Sequence, residues 1–237
     1  MSQHTIAGTV LTMPVRIRRA DVHTAMYSVP ADAAQRMIDY SGLEVCRVRR
    51  NRAVVVLMLA RYHDGDLGRY HEFGTCVMVN PPGSRASGPG ALGKAAAFIH
   101  HLPVDQEFTL EAGRTIWGFP KIMADFVVRD ANRFGFEVSE GGSLIVAMEF
   151  SRGLPVPAPR PRTQTLRTYS CGDGTTREVP WEMRNSRVRF RPGGVRLRLG
   201  EHPYAKELAA LGLPKRPMLS GSVGNVEMTF GDADVLR

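Results

Sequence analysis

Lysine is scarce in this chain of 237 residues: only Lys94, Lys121, Lys206 and Lys215 are present, so arginine supplies nearly all the positive side of a formal net charge of +8. Chemistry that needs a titratable amine therefore has few places to go. Cysteine is scarcer still. Cys46, Cys76 and Cys171 are an odd number, lie far apart and form no C-x-x-C pattern, which argues against a disulfide framework or a cysteine zinc site and leaves them as buried thiols. Long apolar runs are missing too. The longest, such as residues 53–60, fall far short of the ~20 residues a membrane-spanning helix needs. Residues 1–19 contain no continuous apolar signal-peptide core. A cytoplasmic protein with no membrane partner is the expectation.

Two further absences narrow the function classes. Residues 83–90 are rich in glycine and proline but lack the G-x-x-x-x-G-K-[ST] arrangement, so they read as a mobile loop and not as a nucleotide cradle. The basic charge comes without a helix-turn-helix, zinc-finger or ribonucleoprotein motif. Between residues 184 and 198 the arginines 187, 189, 191, 196 and 198 alternate with apolar residues, the period-two pattern of strands with one solvated face. No nucleic-acid partner is expected.

What is present is ordinary globular composition, 43% hydrophobic and 23% charged, at a length that suits one large domain over residues 1–237. Strand signals dominate: residues 53–60, 73–79, 124–128, 133–138, 143–150, 187–190, 195–199 and 223–230 are apolar-rich or alternating. Gly141-Gly142 and Gly193-Gly194 suggest hairpins, and the proline-rich run 154–161 reads as an extended connection. Helices are expected at 31–40, 92–100 and 202–211. The fold class predicted is α+β, mainly β.

One lysine stands apart. Lys121 is surrounded by Ile116, Trp117, Phe119, Pro120, Ile122 and Met123, whereas solvated lysines usually sit among polar residues. A solvated lysine, with a pKa near 10.4, is only about 0.04% free amine at pH 7. An apolar setting destabilises the ammonium form and raises the share able to attack a carbonyl. The bland alternative is a lysine whose stem lies on apolar surface with its ammonium at the edge.

The run Gly113-Arg114-Thr115-Ile116-Trp117-Gly118-Phe119-Pro120-Lys121 resembles the segment of the acetoacetate decarboxylase family that ends in a Schiff-base lysine. Upstream, Gly68-Arg69-Tyr70-His71-Glu72, followed by an apolar strand, is similar to the family's Gly-x-Tyr-x-Glu segment, whose glutamate faces that lysine. A lysine activated by desolvation in acetoacetate decarboxylase is a standard example of this chemistry. The resemblance implies a closed conical β-barrel of antiparallel and mixed pairing with a few peripheral helices, a homo-oligomer, and a small keto acid as substrate. It implies no cofactor and no metal, because the lysine is itself the electron sink. Lys121 and Glu72 become the candidate catalytic pair. Arg19 and, next, Arg18 match the arginine that holds a substrate carboxylate, and Tyr70, Trp117, Phe119 and Arg114 complete the candidate substrate site. Arg114 also has a plainer reading, a salt bridge to Glu107 or Glu111.

Two departures from the family pattern point away from simple decarboxylation. Ile122 stands where the family has a second lysine, and a further family glutamate falls at Leu57. Imine chemistry of the aldol or dehydration type is the alternative expectation, and a non-catalytic ligand-binding barrel is the alternative of another class. His100-His101 invites a metal site, but adjacent strand residues face opposite sides and no companion cluster is evident in the sequence.

Overall fold

The computed structural model describes residues 2–156 and 163–236. A short hairpin of β1 (Gln3–Ile6) and β2 (Thr9–Thr12) leads into the long β3 (Val15–Pro30), and α1 (Ala31–Ile38) follows directly. Next come β4 (Arg52–Gly65), β5 (Tyr70–Val79), β6 (Ala96–Val104), α2 (Glu107–Trp117) and β7 (Lys121–Met123). The middle of the chain forms β8 (Asp125–Asp130), β9 (Phe134–Glu140), β10 (Ser143–Phe150) and β11 (Leu154–Pro155). The remainder is β12 (Gln164–Gly172), β13 (Thr175–Arg184), β14 (Arg187–Arg191), β15 (Val195–Leu199), α3 (Pro203–Ala210), β16 (Leu219–Phe230) and β17 (Asp234–Val235).

Seven strands close a barrel in the order β16-β3-β4-β5-β6-β12-β13, and β13 returns to β16 through the pairs Trp181↔Phe230 to Arg184↔Glu227. Among these seven strands only the β6–β12 contact is parallel, and the short β7 also runs parallel to β6. Closure leaves these strands no free edge. A second, four-stranded sheet, β15-β10-β9-β8, packs outside. The apolar run in β4 is explained by this layering. Val55, Leu57 and Leu59 face an outer core shared with Phe136, Ile145 and Met148 of the second sheet, whereas Met58, Ala60 and Tyr62 turn toward the barrel interior. A strand buried on both faces needs no polar alternation.

The expected mainly-β barrel with peripheral helices is the observed fold. Several details differ from the sequence expectations, and the barrel strands β3, β12 and β13 had no expected counterpart. Residues 92–100 are not a helix: a 3-10 turn at Ala91–Lys94 gives way to β6 at Ala96. The alanines favour helix locally, but Phe98 and Ile99 are buried on a strand held between β5 and β12, and tertiary pairing overrides propensity. Conversely, α2 had no expected counterpart, because Gly113 interrupts its helical pattern. Gly141-Gly142 does turn the β9–β10 hairpin, but Gly193-Gly194 does not join a hairpin: β14 pairs with β16 and β11, and β15 with β10. Of the run 154–161, residues 157–161 lie outside the described residues.

On β3, His23 stacks on Phe134 at 3.6 Å between ring centroids, and its Nδ1 is buried without a hydrogen-bond partner. Burial, reinforced by the Arg61 charge, lowers its pKa to about 4. The unfolded chain takes up this proton from about pH 6.5 downward while the folded one refuses it until about pH 4, so the fold loses stability as pH falls through that window. The expected loss approaches about 3 kcal/mol at about 1.36 kcal/mol per unit. Urea unfolding at pH 7 and pH 4 should show a smaller acid loss in His23→Phe than in wild type; equal losses would rule out this assignment.

Candidate active site

The segment that carries Lys121 is built by a helix end. Gln106 caps α2 by accepting from the Thr109 backbone N–H, and Gly118 ends the helix in the left-handed region at φ +62°, its N–H bonding back to Arg114 and Gly113 carbonyls. That reversal suits glycine. The Phe119 N–H then donates to the Gly113 carbonyl at 3.0 Å, and Lys121 enters β7 beside Leu102 of β6. Arg114 donates from Nε at 2.8 Å and Nη2 at 2.5 Å to the Lys121 carbonyl oxygen. Its guanidinium therefore braces the lysine's backbone, instead of pairing with Glu107 or Glu111 or reaching a substrate.

The Lys121 side chain runs into the barrel, 3% exposed, and its Nζ lies 2.7 Å from Glu72 Oε2 and 3.0 Å from Thr109 Oγ1. Glu72 is equally buried, facing inward from β5, and its other oxygen accepts from Tyr62 Oη at 2.9 Å. Tyr70 stacks on Tyr62 at 4.2 Å and lies under the ammonium, with its ring centroid 5.3 Å from Nζ. Burial, then the Glu72 charge, pushes both phenols well above the ordinary tyrosine range, so they stay protonated. The Cys76 thiol is pushed up to about 12 by the same two causes and is not a nucleophile near neutrality.

These groups face a cavity of about 130 Å³ inside the barrel, with walls from β4, β5, β6, β12, β13 and β16. Trp117 and Phe119 line it, along with Leu67, Ile99, Trp181 and Phe230. Trp117 is fixed by its indole N–H donating to the Gly231 carbonyl at 2.8 Å. Two readings are corrected. Arg18 and Arg19 do not line the cavity: a register shift in β3 at these residues inserts an extra position, and both side chains point to solvent. Arg18 is instead forked onto Asp64 at 2.9 Å and Asp66 at 2.6 Å. Leu57 is no vacant acid position, since it faces the outer core and Met58 is its neighbour on the cavity side.

Three residues escaped sequence reasoning: Tyr62, Thr109 and Gly113. A Cβ on Gly113 would lie 2.5 Å from Lys121 Cε, so the glycine makes room for the lysine stem. The His100-His101 reading also needs correction. A bulge opposite Thr75 and Cys76 turns both imidazoles the same way, and Glu207 of α3 accepts from each, at 2.8 and 2.6 Å. The three ligand atoms lie within 4.8 Å of one another and could hold a cation. With the carboxylate satisfied by both rings, the trio ties α3 to the barrel and takes no part in the cavity lining.

A closed barrel with an amine–carboxylate pair buried at an apolar cavity is a candidate small-molecule site. The chain belongs to the acetoacetate decarboxylase family, whose profile matches residues 5–237. No curated protein sequence gives a significant match. Among solved structures, the acetoacetate decarboxylase of Legionella pneumophila subsp. pneumophila str. Philadelphia 1 is similar with TM-score 0.70 at 17% identity, covering 99% of this chain and 90% of that one. The enduracididine biosynthesis enzyme MppR is similar with TM-score 0.67 at 18% identity, covering 95% and 89%. An acetoacetate decarboxylase-like enzyme from Sphingomonas wittichii RW1 gives 0.57 at 12%, covering 97% and 96%. At these identities the likeness concerns the fold. No helix among the described residues is long and apolar enough to cross a membrane.

Proposed function

We propose that this protein is a lyase that forms a Schiff base between Lys121 and a small carbonyl substrate, with Glu72 as acid and base. The 2.7 Å contact between Lys121 Nζ and Glu72 Oε2, both buried at an apolar cavity, carries the reading. One proton moving along that hydrogen bond converts ammonium and carboxylate into free amine and carboxylic acid, without exchange with solvent. The amine adds to the carbonyl carbon, and Glu72 returns the proton as the carbinolamine loses water. The product iminium is the electron sink for cleavage or formation of a bond beta to nitrogen. Tyr62 holds Glu72 in place by its 2.9 Å hydrogen bond, and Thr109 holds the amine. The lysine supplies the sink, so the reading calls for no cofactor.

Members of the family fold differ in the bond they make or break, and relatives of this fold include MppR complexed with pyruvate and with the condensation product of pyruvate and imidazole 4-carboxaldehyde. That supports condensation-type chemistry beside decarboxylation. The resemblance to the family further supports a homo-oligomer and one domain spanning the chain.

Reductive trapping tests the reading. Incubation with a panel of carbonyl compounds and cyanoborohydride should add one substrate mass at Lys121. Lys121→Arg should abolish the adduct, because a guanidinium stays protonated. Absence of label at Lys121 across the panel would overturn the proposal in favour of a non-catalytic binding barrel.

A further inference from the structure

We infer that the substrate of this cavity is an uncharged ketone or aldehyde, and that its imine gives the enamine by losing an alpha proton instead of CO2. The inference rests on the Schiff-base reading and narrows its substrate, since the family resemblance alone suggested a keto acid.

Charge balance carries it. The buried pair already contains one ammonium and one carboxylate in direct contact at 2.7 Å. Imine formation replaces ammonium by iminium, one positive charge for one, so a neutral carbonyl compound keeps the cavity balanced at every stage. A keto acid would bring a second carboxylate into the space that Glu72 occupies, and a buried charge without a partner is strongly disfavoured. The other walls offer it little. Met58, Leu67, Ile99, Phe119 and Phe230 are apolar. Of the polar donors, Tyr62 Oη is engaged on Glu72 and Trp181 Nε1 on Thr168 Oγ1 at 2.8 Å, and the Tyr70 phenol that remains is neutral and supplies no countercharge. Among the described residues no arginine lines the cavity, and the β3 bulge directs Arg18 and Arg19 outward. Size agrees, because about 130 Å³ is close to the ~150 Å³ of an apolar void that holds benzene.

The chemistry follows in balanced steps. The Lys121 ammonium and the carbonyl compound give the iminium and one water, with Glu72 relaying the proton. The Glu72 carboxylate then removes a proton from the carbon alpha to the iminium; the C–H electron pair forms the enamine C=C, and the iminium π pair returns to nitrogen. The enamine adds to a second carbonyl carbon, whose oxygen takes the proton from Glu72, and water releases the product from Lys121. Run backwards, the sequence is a retro-aldol cleavage. No oxidant or reductant enters.

The test compares matched pairs, methyl pyruvate against pyruvate and 2-pentanone against acetoacetate, by the rate of cyanoborohydride labelling at Lys121. Each rate is divided by that of a free lysine derivative with the same compound, which removes intrinsic electrophilicity. Neutral members should label at least ~100-fold faster, ~2.7 kcal/mol in transition-state terms, and the α-hydrogens of 2-pentanone should exchange in D2O by NMR with wild type but not with Lys121→Arg. Keto acids labelling as fast as their neutral partners, or release of CO2 from acetoacetate, overturns the substrate inference and leaves the Schiff-base reading intact. If neither class labels Lys121, both fall together.

Discussion

Lys121→Met is expected to lower the unfolding free energy by about 3–5 kcal/mol, because it leaves Glu72 in the barrel interior with Tyr62 as its remaining partner. Glu72→Leu should cost a similar amount by stranding the ammonium beside Thr109. The double variant Lys121→Met/Glu72→Leu should recover to within about 1 kcal/mol of wild type, since an apolar pair of similar volume replaces two desolvated charges and the surrounding walls are already apolar. A double-mutant cycle by denaturant unfolding measures this coupling directly. Recovery would mean that the pair adds little net stability and that the fold carries it for what it does. A double variant left as unstable as either single variant would mean that the pair is a structural bridge, and the argument for its chemical role would lose its main support.

The same cycle read by trapping separates the two roles. The double variant should be folded and fully inert toward carbonyl compounds. A stable, inert protein is the signature of a site whose cost to the fold is offset elsewhere, as expected when stability and activity compete.

How much of this was legible in the sequence depended on whether a feature was local. The apolar setting of Lys121 is a run of consecutive residues, and Tyr70-His71-Glu72 is a short strand entry; both were visible, and the barrel brings them into contact. The outer sheet and β4, β5 and β16 of the barrel were likewise legible from alternation, whereas β3, β6, β12 and β13 were not expected as strands. The misplaced site residues have a common cause in β-bulges. Alternation assumes that every residue flips the face, but the extra residue at Arg18-Arg19 sends two neighbours outward, and the one at His100 sends two neighbours toward Glu207. A bulge leaves no mark in composition. Tyr62 was out of reach for a related reason: it shares the inner face with Glu72 only through the β4–β5 register, in which Ala60 pairs with Glu72 and Tyr62 with Tyr70. Thr109 and Gly113 required a helix that the glycine itself concealed.

Gly113→Ala brings local propensity and the site into direct opposition. In an exposed helix interior the change would stabilise by about 0.8–1 kcal/mol, because alanine is the better helix former. Here the added methyl would sit 2.5 Å from Cε, 2.6 Å from Cδ and 3.3 Å from Nζ of Lys121, inside the contact distance of all three. A flexible lysine tip at the surface would swing aside. This one is buried and held by Glu72 and Thr109, and its backbone oxygen is clamped by Arg114, so relief requires the ammonium to leave its partner or the helix to back away from β7. Overpacking of this kind costs about 1–3 kcal/mol, which outweighs the propensity gain and reverses the sign. The functional loss should be larger than the structural one, since a displacement near 1 Å of a reacting group costs on the order of 100-fold. Labelling at Lys121 should therefore fall about 100-fold in Gly113→Ala while the protein remains folded by circular dichroism. Gly93→Ala serves as a control, because a Cβ there meets nothing within 4 Å and labelling should be unchanged. A Gly113→Ala protein that is more stable than wild type and labels at the wild-type rate would show that the lysine stem does not need the space this glycine leaves.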